Sequence, residues 1–279
     1  MEARRLRFGV AAAVCCLVMA RPHPAAAQVV LGGDLDWNGN YVWRGLVRSG
    51  GQVLQGGAYA QFALGAVTLA AGGWTNLQLS GGGPGAWNDG GAGQHAFTEA
   101  DAWAEMRWAT EPVDLRLGVV HYEYHGRDSV ARRTASDDTQ ELYARLTGPR
   151  LPLTPTVAVW WDVNRAKGGF VEGSLTAPLP LVPMFANLDV IATAGASLGQ
   201  ERNPADASET FVAERRGVTY VGLALAANLA AGPVTARMTL HAQLNLDDAT
   251  RQVSLTRLSR HLVWLGVGLG HARRMGRGR

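Results

Sequence analysis

The sequence predicts an all-β protein, an antiparallel transmembrane β-barrel of about twelve strands (roughly 10–14) behind a cleaved signal peptide. Three observations predict it. A secretory leader opens the chain, extended segments then alternate apolar with polar residues, and the connections between them alternate long with short.

The leader comes first. Arg4, Arg5 and Arg7 form a positive start, residues 8–20 an apolar run, and Ala25-Ala26-Ala27 a small-residue cleavage pattern before Gln28. The run is shorter than the roughly 20 residues a membrane-spanning helix needs. Residues 1–27 are therefore expected as a Sec-type signal peptide, residues 28–271 as the barrel and residues 272–279 as a basic tail.

The leader also accounts for the charge. The whole chain has a formal net charge of +3. Arg4, Arg5, Arg7 and Arg21 stand against Glu2 alone in the leader, so the remainder is electrically balanced. Nothing then argues for nucleic acid as a partner. Both cysteines, Cys15 and Cys16, lie in the leader as well, which leaves no disulfide framework after export. A closed, fully hydrogen-bonded sheet is the expected source of stability.

The strands follow from period-two alternation. In residues 31–45, Leu31, Leu35, Trp37, Tyr41 and Trp43 alternate with Asp34, Asp36, Asn38, Asn40 and Arg44. Ala100, Ala102, Ala104, Met106 and Trp108 alternate with Glu99, Asp101, Trp103, Glu105 and Arg107. Leu142, Ala144 and Leu146 alternate with Glu141, Tyr143 and Arg145; Val157, Val159 and Trp161 with Trp160 and Asp162. The cleanest case sets Ala236, Met238, Leu240, Ala242 and Leu244 against Arg237, Thr239, His241, Gln243 and Asn245. Weaker versions occupy residues 53–64, 67–77, 113–124 (with Asp114 and Arg116), 170–179, 188–198, 218–229 and 261–269. Segments of about ten residues suit tilted membrane strands better than the 5–6 residues usual in soluble sheets.

The connections at 65–66, 110–112 and 230–232 are tight and 148–153 is shorter than its predecessor, whereas 46–52, 78–96, 126–138, 199–217 and 248–260 are long or polar; 165–169 is the exception, no longer than its neighbour at 180–184. Short periplasmic turns and long outer loops are what outer-membrane barrels show. The direction of the faces follows from charge. Twelve strands enclose too much space for these ionic side chains to form a dry core, so the ionic face is expected toward a hydrated lumen and the apolar face toward lipid. Trp37, Tyr41, Trp43, Phe62, Trp108 and Trp161 are then expected in interfacial girdles.

The segment Tyr41-Val42-Trp43-Arg44-Gly45, followed by Gln55-Gly56, resembles the opening of the TorF family of bacterial porins. The likeness covers about thirty residues and is architectural beyond them. What the resemblance implies is an outer-membrane barrel with a transport role, no known substrate and no catalytic set. Such barrels commonly end on an aromatic residue that the assembly machinery reads, and this chain ends on a basic run instead.

Three further patterns have bland readings. Gly195-Ala196-Ser197-Leu198-Gly199 spells the GxSxG of a nucleophile elbow, but that needs a strand-to-helix turn and here the strand runs into a polar stretch. His121, Glu123 and His125 share a face at metal-compatible spacing, and are read as the strand's polar exit from the membrane. The glycine-rich stretch 81–93 lacks a Walker lysine and is read as an outer loop.

The expected function is thus a narrow passive channel in the Gram-negative outer membrane for small polar solutes. Its partners are outer-membrane lipid and the barrel-assembly machinery, with a monomer expected and no catalytic, cofactor or metal residues. The candidate pore lining is Asp34, Asp36, Arg44, Glu99, Asp101, Glu105, Arg107, Asp114, Arg116, Glu141, Arg145, Asp162, Arg237 and His241, with mixed signs and so no strong ion preference. Two other classes stay open: a non-conducting structural or adhesive barrel whose charges pair and fill the interior, and an outer-membrane lipid-modifying enzyme.

Overall fold

The computed structural model describes residues 28–80, 96–124, 138–149, 151–164, 167–179, 187–199, 216–246 and 261–275. Residues 1–27, expected as a signal peptide, the glycine-rich stretch 81–93, His125 and most of the long connections lie outside the described residues.

Twelve strands close a barrel through antiparallel neighbour pairing. In chain order they are β1 (Gln28–Asn38), β4 (Val53–Leu64), β5 (Val67–Gln78), β6 (Ala96–Ala109), β7 (Asp114–Tyr124), β8 (Thr139–Thr147), β9 (Thr154–Asp162), β10 (Gly169–Leu179), β11 (Asn187–Gly199), β12 (Gly217–Ala231), β13 (Val234–Asn245) and β14 (His261–Met275). Two short strands, β2 (Tyr41–Trp43) and β3 (Leu46–Ser49), form a separate hairpin. Strand β1 closes the ring by pairing with both β4 and β14, so the barrel has no free edge.

The two faces separate as the alternation predicts. Outward side chains are apolar and exposed, among them Leu35 at 50 %, Leu223 at 57 % and Val263 at 65 %. The inward positions carry the buried polar groups, including Asn76, Glu99, Glu141 and Asn245. This is a soluble protein turned inside out, since water would not leave such a continuous apolar exterior uncovered. Phe62, Trp108 and Trp161 sit on that exterior near strand ends.

Inward aromatics lie over glycines on the next strand. Tyr59 is the register partner of Gly32, Trp103 of Gly72, Tyr143 of Gly118 and Tyr220 of Gly195. A Cβ on any of these glycines would meet the partner ring at 2.2–2.7 Å. The missing side chain lets each ring lie against the wall, which pins the register and keeps bulk out of the bore. Turns Gly65-Ala66 and Gly232-Pro233 stand at the same end of the barrel as Gln28, and Gly65 (φ 65°) and Gly232 (φ 60°) supply the left-handed conformation they need.

Three expectations are corrected. The first strand does not run to Gly45: it stops at Asn38, and Gly39-Asn40 turns the chain away from the wall. Arg44 is therefore not a wall residue, and Tyr41 and Trp43 are not in a lipid-facing girdle. Residues 46–52, expected as an outer loop, begin with strand β3. The basic end is not a tail from residue 272, because β14 continues to Met275 with Arg273 opposite Leu31 and Arg274 opposite Val30. Hydrogen bonding along β1 outweighs the poor apolar character of those residues.

Candidate functional site

The hairpin β2–β3 folds into the lumen at the end away from the tight turns. Its closing turn places Arg44 (φ 49°) and Gly45 (φ 88°) in the left-handed region, a conformation that is common for glycine and uncommon for arginine. What holds Arg44 there is its side chain. Its Nη1 and Nη2 donate to the two carboxylate oxygens of Glu141 on β8, each at 2.6 Å. The guanidinium also lies 4.2 Å from the Trp43 ring centroid, 4.6 Å from that of Trp160 and 5.3 Å from that of Phe170. Burial works against its charge, and the forked carboxylate and aromatic faces offset that cost.

Glu141 is saturated from a third side by the Tyr122 hydroxyl at 2.9 Å. Tyr122 in turn meets Trp43 edge-on, with centroids 6.0 Å apart. A second, looser ion pair joins Arg48 of β3 to Glu99 of β6 at 3.7 Å, with both side chains 1 % exposed. On the other side of the bore, Gln243 of β13 donates to the Gly45 carbonyl at 3.1 Å. Leu46 packs with Phe170 of β10 and Tyr220 of β12, and Tyr220 donates to Glu172. Tyr41 tilts against Trp74 of β5. The hairpin thus touches β5, β6, β7, β8, β9, β10, β12 and β13, which is most of the circumference.

A ladder of amides backs it on the remaining wall. Asn38 donates to Gln55, Gln55 to Asn76 and Asn76 to Thr98, at 2.9, 3.0 and 2.6 Å across β1, β4, β5 and β6. A register irregularity at Asn76/Leu77 brings Thr98 inward, where alternation alone puts it on the lipid side. Every link satisfies one donor and one acceptor that would otherwise be buried unpaired.

Toward the tight-turn end the lumen is open and ionic. Arg107 pairs with Asp114 at 2.6 Å, Arg116 with Glu105 at 3.4 Å and with Asp114 at 3.5 Å, and Arg237 with Asp36 at 2.8 Å. Arg107 and Arg237 remain 44 % and 52 % exposed, so water reaches them. His241 stacks on Trp264 within this wall, with centroids 4.6 Å apart.

The predicted lumen residues therefore fall into two groups. Glu99, Asp101, Glu141 and Asp162 lie at or beside the plugged half, Asp162 accepting from Thr139. Asp34, Asp36, Glu105, Arg107, Asp114, Arg116, Arg145, Arg237 and His241 face the open half. Of the TorF-like motif, Tyr41, Trp43, Arg44 and Gly45 build the plug, Gln55 belongs to the amide ladder, and Gly56 lies on the outward side of β4, where an added Cβ would meet the Leu35 side chain at 3.5 Å. The partners of the plug were missed in the sequence, because Phe170, Tyr220 and Gln243 read as ordinary strand positions.

Other candidates resolve plainly. Ser197 stays within β11, 2 % exposed, and accepts from the Gly199 N–H at 3.1 Å, so it does not stand at the end of its strand as an elbow nucleophile does. His121 and Glu123 lie on the outward face of β7, with Ala102 and Gln140 as the register partners of His121. Among the described residues no three His, Cys, Asp or Glu side chains gather to hold a metal ion.

No protein-family model and no curated protein matches the chain. Solved structures do. An outer-membrane channel from Pseudomonas putida F1 superposes with a TM-score of 0.50 at 10 % identity, over 92 % of this chain and 98 % of that one. The fold is that of an outer-membrane β-barrel. LpxR from Salmonella typhimurium (TM-score 0.46, 11 % identity, 87 % of this chain and 99 % of that one) has a similar architecture. So does outer-membrane phospholipase A from Escherichia coli (0.42, 12 %, 89 % and 93 %). At such identities the likeness is one of fold.

Proposed function

We propose that this chain is an outer-membrane channel for small polar solutes whose outer half is closed by the β2–β3 hairpin. The observation that carries this reading is how the hairpin is held. Beside the ring contacts of Tyr41 and Trp43 and the apolar anchor Leu46, it is seated by two arginine–carboxylate pairs and a hydrogen bond to its tip. Polar contacts of this kind exchange for water at little net cost, so a plug built from them is displaceable in a way an apolar core is not. The hydrated, charged lumen below it offers a path that ends at the plug. The apolar exterior and the likeness of residues 41–56 to the TorF opening support placement in the outer membrane, with the tight turns in the periplasm.

A channel role fits better than lipid hydrolysis. On the lipid-facing side His121 is flanked in register by Ala102 and Gln140, so no hydroxyl nucleophile stands directly beside it.

Planar-bilayer conductance of the folded protein tests the proposal. The intact barrel is expected to be nearly silent with rare openings, and a variant with residues 41–49 replaced by a Gly/Ser linker is expected to conduct steadily. Silence in both would favour the second reading, a non-conducting barrel with a fixed plug. The deep burial of Arg48 and Glu99 is what favours that alternative.

A further inference from the structure

Three arginines stand side by side in the open half of the lumen. Arg107 on β6 is the register partner of Arg116 on β7, and Arg116 is the register partner of Arg145 on β8. Like charges directly opposite one another on neighbouring strands repel. The carboxylates nearby are too few to remove that repulsion. Asp114 is shared between Arg107 and Arg116, and Glu105 is taken by Arg116 and by the Tyr143 hydroxyl at 2.9 Å. Arg145 forms no ion pair or hydrogen bond among the described residues.

The arc thus carries three guanidiniums against two carboxylates. Its surplus sits on Arg145, beside the Tyr143 ring that lies flat over Gly118. The opposite wall differs. In the ring order β13, which carries Arg237, stands six strands from β7, and β1, which carries Asp34 and Asp36, stands four strands from it; Asp36 neutralises Arg237 and Asp34 adds a further carboxylate. A solute in this half of the bore lies between a basic wall and an acidic one. The field focused there draws the anionic part of a solute to the β6–β8 side.

We infer that the Arg107–Arg116–Arg145 arc is a binding site for small oxyanions, carboxylate or phosphate, on the path to the plug. The planar fork of Arg145 is built to take such a group bidentately, with Arg107 and Arg116 adding positive charge beside it. Arg145 supplies the free fork, while Asp114 and Glu105 hold the other two arginines in place. This inference deepens the channel reading, and its test is chosen to stand apart from conductance.

The test is calorimetric titration of the full folded chain in detergent at low ionic strength, with succinate and inorganic phosphate as separate probes. Wild type is expected to bind at least one of them, and Arg145→Gln to bind roughly tenfold more weakly. Arg237→Gln, which removes an arginine already neutralised, is expected to bind as wild type does. Heat-modifiable gel mobility reports that each variant is a folded barrel. Binding by succinate alone assigns the site to carboxylates, and by phosphate alone to phosphates. No binding by wild type, or equal binding by wild type and Arg145→Gln, overturns the inference. Should binding hold while the linker variant stays silent in bilayers, the channel reading fails and the anion site remains.

Discussion

Both terminal nitrogens of Arg44 lie 2.6 Å from the Glu141 carboxylate, one to each oxygen, inside a barrel wall to which Arg44 does not belong. The pair ties the tip of the β2–β3 hairpin to β8, across the bore from β1, where the hairpin enters. Removing one member leaves the other charge buried alone, which in such settings costs about 3–5 kcal/mol. The barrel's own strand ladders do not depend on it. Arg44→Ala is therefore expected to free the hairpin while leaving the barrel closed. Hydrogen exchange should show lost amide protection over residues 41–49 and little change in β4–β14. The double variant Arg44→Met/Glu141→Leu should cost less than either single change, since no unpaired charge remains.

The amide ladder makes a second prediction. Asn76 holds two links, accepting from Gln55 and donating to Thr98. Asn76→Leu strands one donor and one acceptor in a buried site, at about 1–3 kcal/mol for each unsatisfied group. Denaturant unfolding in detergent should show a clear fall in stability, and Asn76→Asp should also fall, because it puts a carboxylate with no cationic partner into a buried site.

Glycine positions divide sharply by what faces them. At Gly118 a Cβ would meet the Tyr143 ring at 2.4 Å, whereas at Gly173 it would meet nothing within 4 Å. Gly118→Val is expected to reduce refolding yield, by forcing Tyr143 off the wall and into the bore. Gly173→Val should refold as wild type does. Equal yields would contradict the aromatic-over-glycine packing.

Charge pairing near the tight turns should matter little to stability. Arg107 is 44 % exposed and Arg237 52 %, so their ion pairs are screened by lumen water. Arg107→Gln and Arg237→Gln are each expected to change unfolding free energy by less than about 1 kcal/mol. A larger loss would mean that this half of the lumen is dry.

Much of the barrel could be read before its coordinates, and the reasons are physical. Alternation over about ten residues survives as a signal because each strand has water on one side and lipid on the other. That sufficed for twelve strands and for the inward placement of Glu99, Arg107, Arg145 and Arg237. Alternation misled at Tyr41 and Trp43. A hairpin packed inside a barrel also has two unlike faces, so it looks like a continuation of β1 until Gly39 breaks the chain direction. Arg273 and Arg274 read as a tail because pairing with β1, not side-chain pattern, extends β14. The partners of the plug were illegible for another reason: Glu141 and Gln243 lie far along the chain from the hairpin, and no local pattern marks them.

The seat of the hairpin inside the lumen is tested most directly by a single thiol. Residues 28–279 contain no cysteine, so Leu46→Cys made in that stretch carries the only one, at a position 3 % exposed. A water-soluble maleimide should leave it unmodified in the folded barrel and modify it fully on unfolding, whereas Arg237→Cys, in the open half, should react in the folded state. Rapid modification of Leu46→Cys in the folded barrel, at the rate seen for Arg237→Cys, would contradict a plugged lumen.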